Sequence, residues 1–172
     1  MVALNPKPTN TSLLQPTKFQ FIFARMPNLT YFCQNVSLPG AGLSEIIRNT
    51  PFVDLYVPGE KLVYEPLDIT FLVDEDLRTW LEIYDWMVGL TFPENFNQYR
   101  RMLKEKSDFG GTVSDATLTI LTNKNQTNIR VKFKDCFPTS LGSLPFDSTS
   151  DANQVMTSTL SLRYNYFTVD II

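Results

Sequence analysis

Residues 57–90 read VPGEKLVYEPLDITFLVDEDLRTWLEIYDWMVGL. Pro58-Gly59 is a turn signal. Residues 61–73, KLVYEPLDITFLV, are rich in β-branched and aromatic side chains and read as a long strand, with Pro66 marking an irregularity. Within it Ile69, Phe71 and Val73 share one face, and Asp68 and Thr70 share the other. A helix follows with no linker. Asp74 is placed to accept an orphan N–H as its N-cap, and Glu75 and Asp76 suit the positive end of the helix dipole. Leu77, Trp80, Leu81, Tyr84, Met87 and Val88 fall at helical spacing and are expected to face inward. Arg78, Thr79, Glu82 and Asp85 are expected to face out. Gly89 reads as the stop, so the helix is expected over about 75–89. A strand running straight into an amphipathic helix calls for a sheet with a helix packed on it.

Upstream, residues 45–57, EIIRNTPFVDLYV, carry Pro51 inside a strand-like run, which points to an edge strand or a bulge. Paired with 61–73 across Pro58-Gly59, they are expected to form a long hairpin whose apical half is more than core. Residues 18–24, KFQFIFA, set Phe19, Phe21 and Phe23 on one face. Residues 31–37, YFCQNVS, read as a second strand ending at the turn Leu38-Pro39-Gly40-Ala41-Gly42. Residues 1–16 hold three prolines and read as an extended arm ahead of a single domain, 17–172. Downstream, 94–106 reads as a short helix or a long loop. Residues 115–122 and 128–136 make a hairpin across 123–127, with Leu118, Ile120, Ile129, Val131 and Phe133 inward. A Ser/Pro/Asp loop covers 138–153 and a last strand 155–169. The sum is about seven strands, mostly hairpin-connected and therefore antiparallel. The expected class is mainly β, an antiparallel sandwich or barrel with a flanking α-helix.

The composition removes most chemistry. The chain has 172 residues, a net charge of −3 and no histidine. Without histidine it lacks the commonest general base, the usual Ser and Cys triads and the commonest zinc ligand. The negative balance argues against a generic grip on nucleic acid. Arg100, Arg101, Lys104 and Lys106 near Tyr99 make a weak basic patch, interrupted by Glu105 and Asp108. Asp74-Glu75-Asp76 reads as cap and dipole partners, and Glu65 and Asp68 as solvated strand acids rather than a glycosidase pair. Cys33 and Cys136 read as reduced, buried thiols. There is no phosphate-binding glycine loop. No apolar run is long enough to span a bilayer. MVALNPKPTN lacks a signal-peptide core, so folding in the cytoplasm of its cell, or of a host cell, is expected. No enzyme activity, cofactor, metal or membrane contact is expected.

Three segments carry a family likeness. They are Cys33–Leu43, CQNVSLPGAGL; Val57–Leu90, with its turn, its strand and the Asp85-Trp86 pair; and Phe133–Phe167, FKDCFPTSLGSLPFDSTSDANQVMTSTLSLRYNYF. In this order they resemble the tail tube proteins of contractile-tailed, T4-like bacteriophages. Residues 91–110 are longer than that pattern. The resemblance implies a structural virion protein: hexameric rings, joined sheet to sheet into an inner barrel, stack into a tube through which DNA leaves the phage. Its partners would be itself, the tail sheath, baseplate and tail terminator proteins, and DNA that passes without specific binding. Assembly would take place in the host cytoplasm. Lining positions would be Thr50, Asp54, Asp68 and Thr70. Contacts between subunits or rings would involve Leu38, Pro39, Gly40, Pro51, Phe52 and Tyr56. A baseplate tube-initiator or adaptor ring of the same fold is the alternative within the family. A carbohydrate-binding β-sandwich is the alternative outside it.

Overall fold

The computed structural model describes residues 12–105, 111–149 and 155–172, without the side chains of Arg101, Lys104 and Glu105. Most of the N-terminal arm expected over 1–16, and Lys106 and Asp108 of the basic cluster, lie outside the described residues. In chain order the elements are β1 (Phe19–Phe23), α1 (Pro27–Phe32), β2 (Cys33–Ser37), β3 (Ala41–Arg48), β4 (Leu55–Tyr64), β5 (Leu67–Leu72), α2 (Arg78–Thr91), α3 (Phe96–Glu105), β6 (Ser114–Leu121), β7 (Thr127–Leu141), β8 (Thr157–Arg163) and β9 (Tyr166–Ile171). The fold is mainly β and antiparallel throughout.

Two layers share one long strand. The first half of β7 pairs with β6 and β9, and β6 pairs with β1. The second half of β7 pairs with β8, which continues through β5 to β2. The corner falls at Asp135, whose φ of 57° is left-handed. A strand can change layers only where a bend or bulge turns it. The partner strand breaks at the same level: Asn165 N–H donates to Lys134 O at 3.0 Å, and Asn165 Nδ2 donates to Asp135 Oδ2 at 2.8 Å. The expected single strand over 155–169 is therefore two strands, β8 and β9, one in each layer. The strand expected over 128–136 runs on to Leu141.

Between the layers lies one apolar core, with Phe23, Leu67, Ile69, Phe71, Val131, Phe133, Leu160 and Leu162 among its buried residues. The alternation in β1, β5, β6 and β7 places its apolar members inward as expected, because each strand has one face on this core. Cys136 is buried there, whereas Cys33, on edge strand β2, is only half-buried.

The helical side departs further from expectation. Residues 31–37 are not all strand: α1, opening on Pro27, occupies 27–32 and covers the end of the sandwich. Residues 96–105 form α3. Helix α2 buries Thr79, Ile83, Trp86 and Gly89, a different stripe from the expected one. Leu81 and Tyr84, expected inward, are 44% and 48% exposed. Ile83 and Trp86 of this stripe face the core, where Trp86 lies against Phe23 with ring centroids 6.0 Å apart, and Gly89 faces Met102 of α3. A Cβ on Gly89 would sit 3.0 Å from Met102 Cβ, so this glycine allows close helix approach and is not a stop. The helix ends instead at Phe92, whose φ is 38° and whose N–H donates to Val88 O at 2.7 Å.

The expected hairpin is also redrawn. Pro58 and Gly59 lie inside β4, with Pro58 opposite Glu45. The ladder shifts register between Leu43 and Glu45, and the chain reverses over 49–54. A Cβ on Gly59 would meet Ser44 O at 2.6 Å, so the glycine serves a bulge. β5 belongs to the main layer and pairs with β2 and β8, not with β3.

Candidate assembly surfaces

The β3–β4 ribbon pairs with no other strand among the described residues. Its base is held firmly. Glu65 N–H donates to Gly40 O at 3.0 Å, and Gly40 N–H donates to Glu65 Oε2 at 3.2 Å. Tyr164 Oη donates to Glu65 O at 3.0 Å, and burial pushes its phenol up to about 12. Tyr64 packs against Phe167 with ring centroids 5.2 Å apart. At the tip, Thr50 accepts from the Val53 N–H and donates to its carbonyl, closing the turn.

Between base and tip both faces are apolar and exposed. Residues opposite each other in a ladder share a face. Ile47 and Tyr56 therefore lie with Glu45 and Pro58, and Ile46 and Val57 lie opposite them with Arg48 and Leu55. Phe52 at the tip is 99% exposed. Neither Glu45 nor Arg48 has an ion-pair partner among the described residues. One face of the ribbon thus carries an unpaired acid and the other an unpaired base. A ribbon bare on both sides is an aggregation hazard unless a partner covers it.

A second surface is the outer face of the β2-β5-β8 layer. Ser37, Asp68 and Ser161 stand side by side there, and so do Asn35, Thr70 and Thr159. Ser161 Oγ donates to Asp68 Oδ1 at 2.6 Å. These are short polar side chains with one acid, and farther along β8 the same side carries Arg163, whose guanidinium donates to Tyr64 O at 3.1 Å. A third surface is β9. Val169 and Ile171 are registered with Val131 and Ile129 on the core-facing side, yet Ile171 is 83% exposed, so the apolar layer runs past its own cover.

The four candidate lining residues divide between two places. Asp68 and Thr70 share the polar face, whereas Thr50 and Asp54 sit at the ribbon tip. The six contact candidates also divide. Pro51, Phe52 and Tyr56 belong to the exposed ribbon, whereas Leu38, Pro39 and Gly40 form its base, with Pro39 buried. The contact expectation spanned Leu38–Tyr56, which includes the exposed Leu43, Ile46 and Leu55, but it missed Leu62 and Val63 as exposed apolar positions. Their only signal was an apolar run without alternation, which a strand buried on both faces shares.

No group of three metal-ligating side chains occurs among the described residues. No helix there is long and apolar enough to cross a membrane. The N-cap of α2 is Leu77, in the left-handed region, not Asp74, and Glu75 and Asp76 precede the helix instead of lying in its first turn, because α2 starts only at Arg78. The Asp74 carboxylate still accepts from the Arg78 and Thr79 N–H groups at 3.1 and 3.2 Å.

The model of the phage tail tube protein family matches residues 4–170. The tail tube terminator protein of Enterobacteria phage T4 is 29% identical over 114 residues, which is 66% of this chain and 60% of that protein. The chain thus spans about 60% of the length of this relative. The cap that ends the tube of the anti-feeding prophage superposes with a TM-score of 0.62 at 15% identity, over 100% of both chains. The sheath/tube terminator of an extracellular contractile injection system gives 0.58 at 19% identity, over 92% of this chain and 97% of that one. At such identities the structures show a shared fold. The chain belongs to the phage tail tube protein family.

Proposed function

We propose that this protein forms a hexameric ring at an end of a phage tail tube, within the virion, and that phage DNA is ejected through the ring. The observation that carries the ring is the β3–β4 ribbon, apolar and exposed on both faces, with an acid on one and a base on the other. Such a ribbon suits a heterologous contact, acidic face to basic face, between copies of the same chain. The bare inner side of β9 offers those copies a second apolar seat. In the ring the polar face bearing Asp68 and Thr70 lines the bore, where short side chains and a negative charge leave DNA free to slide. Thr50 and Asp54 join Pro51, Phe52 and Tyr56 in contacts between rings, and Leu38, Pro39 and Gly40 hold the ribbon at its angle. Sheath, baseplate and the other tube proteins are the remaining partners. The end position is supported by the likeness to the T4 terminator protein. A repeating tube subunit is the second reading, supported by the family description.

Electron microscopy of the purified protein is expected to show six-fold rings. A stable monomer at high concentration would sink the proposal. Copy number per purified virion separates the two readings: one ring's worth for an end ring, many for a repeating subunit.

A further inference from the structure

β1 is the free edge of its layer: among the described residues it pairs with β6 alone. The ladder fixes which of its backbone groups are spent. Leu121 N–H donates to Lys18 O at 2.9 Å, and Ala24 N–H donates to Asp115 O at 3.5 Å. Bonded positions alternate in an antiparallel pair, so Lys18, Gln20, Ile22 and Ala24 address β6. Phe19, Phe21 and Phe23 turn their N–H and C=O groups the other way. Phe23 bears out this parity: its N–H donates to Thr30 Oγ1 at 3.0 Å, and its O accepts from Met26 N–H at 3.2 Å. On that side Phe19 and Phe21 have no backbone partner among the described residues.

An open groove of about 660 Å³ runs along this edge. β1 forms one wall, and Pro27 and Tyr31 of α1 stand opposite with Cys33 of β2. None of its lining side chains is charged. Lys18 lies one residue before Phe19, and its ammonium is bonded to the neutral Asn125 side chain, with no ion-pair partner among the described residues. A groove beside unspent backbone groups of an edge strand suits another strand, added through main-chain hydrogen bonds.

The ribbon is the part of this chain that needs such a seat. It has two strands, and its outer edges pair with nothing among the described residues. A two-stranded hairpin is marginal in water until a third strand or a packed surface joins it. Within one chain the ribbon is not paired with β1, so the seat is left for another copy. Charge selects the orientation. Glu45, unpaired among the described residues, shares a ribbon face with Ile47, and Ile46 and Val57 lie on the opposite face. With Glu45 turned toward Lys18, Ile46 and Val57 turn over the groove.

We infer that the groove receives the edge of the β3–β4 ribbon of a second copy, which continues the layer beyond β1. The incoming main chain bonds to Phe19 and Phe21, Glu45 meets Lys18, and Ile46 covers the groove beside Cys33. The inference rests on the reading of the ribbon as a contact between copies, and it names the ribbon's seat on the neighbour.

Full-length chains test it. Ile46→Cys/Cys33→Ser is mixed with the parent protein and oxidised glutathione. A disulfide between position 46 and Cys33 of the parent is expected, identified by mass spectrometry after digestion. Ile47→Cys/Cys33→Ser, on the other ribbon face, is expected to give about tenfold less of the corresponding bond. Amide exchange at single-residue resolution is expected to slow about tenfold or more at Phe19 and Phe21 when monomers become rings, while Gln20 and Ile22, already bonded to β6, change little. Rings without the Cys33 bond, or with Phe19 and Phe21 exchanging as fast as in the monomer, would overturn the inference and leave the ring reading standing. Equal yields from the two ribbon faces would overturn it as well. The Cys33 bond without six-fold rings would support the seat and sink the ring reading, and absence of both would sink both.

Discussion

Asp74 stands in the connection between β5 and α2, and its carboxylate takes two backbone N–H bonds. Desolvation is the largest single influence and pulls its carboxyl up, but the backbone N–H groups of Thr79, Arg78 and Asp74 itself together outweigh it and hold the group below the ordinary carboxylate value. A depressed carboxylate stabilises the fold above its unfolded value, near pH 3.9, and the benefit is lost as the pH falls through the folded value. Asp74→Ala is therefore expected to cost about 1 kcal/mol near neutral pH. In thermal melts the gap to the parent protein closes as the pH is taken below the unfolded value; a gap independent of pH would show that Asp74 does not act through its charge. Cys136 offers a second test. Burial pushes its thiol up to about 12, and that of half-buried Cys33 to about 11. At pH 8 Cys136 is expected to resist a thiol reagent until the protein is unfolded. Rapid labelling in native protein would mean that the β7 corner opens. Asp74 was legible as a partner of the first N–H groups of α2 because such bonds involve only the next few residues. The exposure of Cys33 was not, because it depends on β2 lying at an edge.

The ribbon is the element whose sequence and setting differ most. Its run of Leu, Ile, Val, Tyr and Phe has the composition of a core strand, yet it lies outside the core. Phe52→Ser is expected to change monomer stability by less than about 0.5 kcal/mol, since the ring meets solvent, while ring or tube formation falls sharply in electron micrographs. Intact assembly in that variant would remove the tip from the interface. Gly59→Ala should behave differently, because the new Cβ would press on the Ser44 backbone. The ribbon is expected to loosen by about 1–3 kcal/mol, read as faster amide exchange over 41–64 while the strands of the main layers stay protected. Pro58-Gly59 was taken for the turn because the same dipeptide serves turns and bulges. Only the pairing of Glu45 with Pro58 distinguishes the two.

Over the whole molecule, the polar outer face and the apolar ribbon occupy separate regions, so changes of charge at the two should have separate consequences. Asp68→Lys is expected to leave rings intact and to slow DNA release from virions in a salt-sensitive way, since an added cation in the bore attracts phosphate. Asp54→Lys, at the ribbon tip, is expected to weaken stacking instead. Unaltered release with Asp68→Lys would argue that this face does not line the bore.

The chain by itself determined the antiparallel β class, the inward faces of β1, β5, β6 and the first half of β7, the Asp74 carboxylate as a partner of the first N–H groups of α2, and the absence of histidine-based catalysis. Those features depend on period, caps and residue types, all of which act within a few positions. The tertiary structure decided which stripe of α2 is buried, because the helix turns Ile83 and Trp86 onto the core and Gly89 onto Met102 of α3, contacts that the pattern along α2 cannot reveal. It decided that β7 and the terminal strand turn together at Asp135 and Asn165, because the corner requires both strands to bend at one level. It decided that the ribbon stays bare, because an apolar run looks the same whether its own fold or another copy covers it. And it brought Arg25, Glu82, Trp86 and Met102, from three separate parts of the sequence, around one cavity.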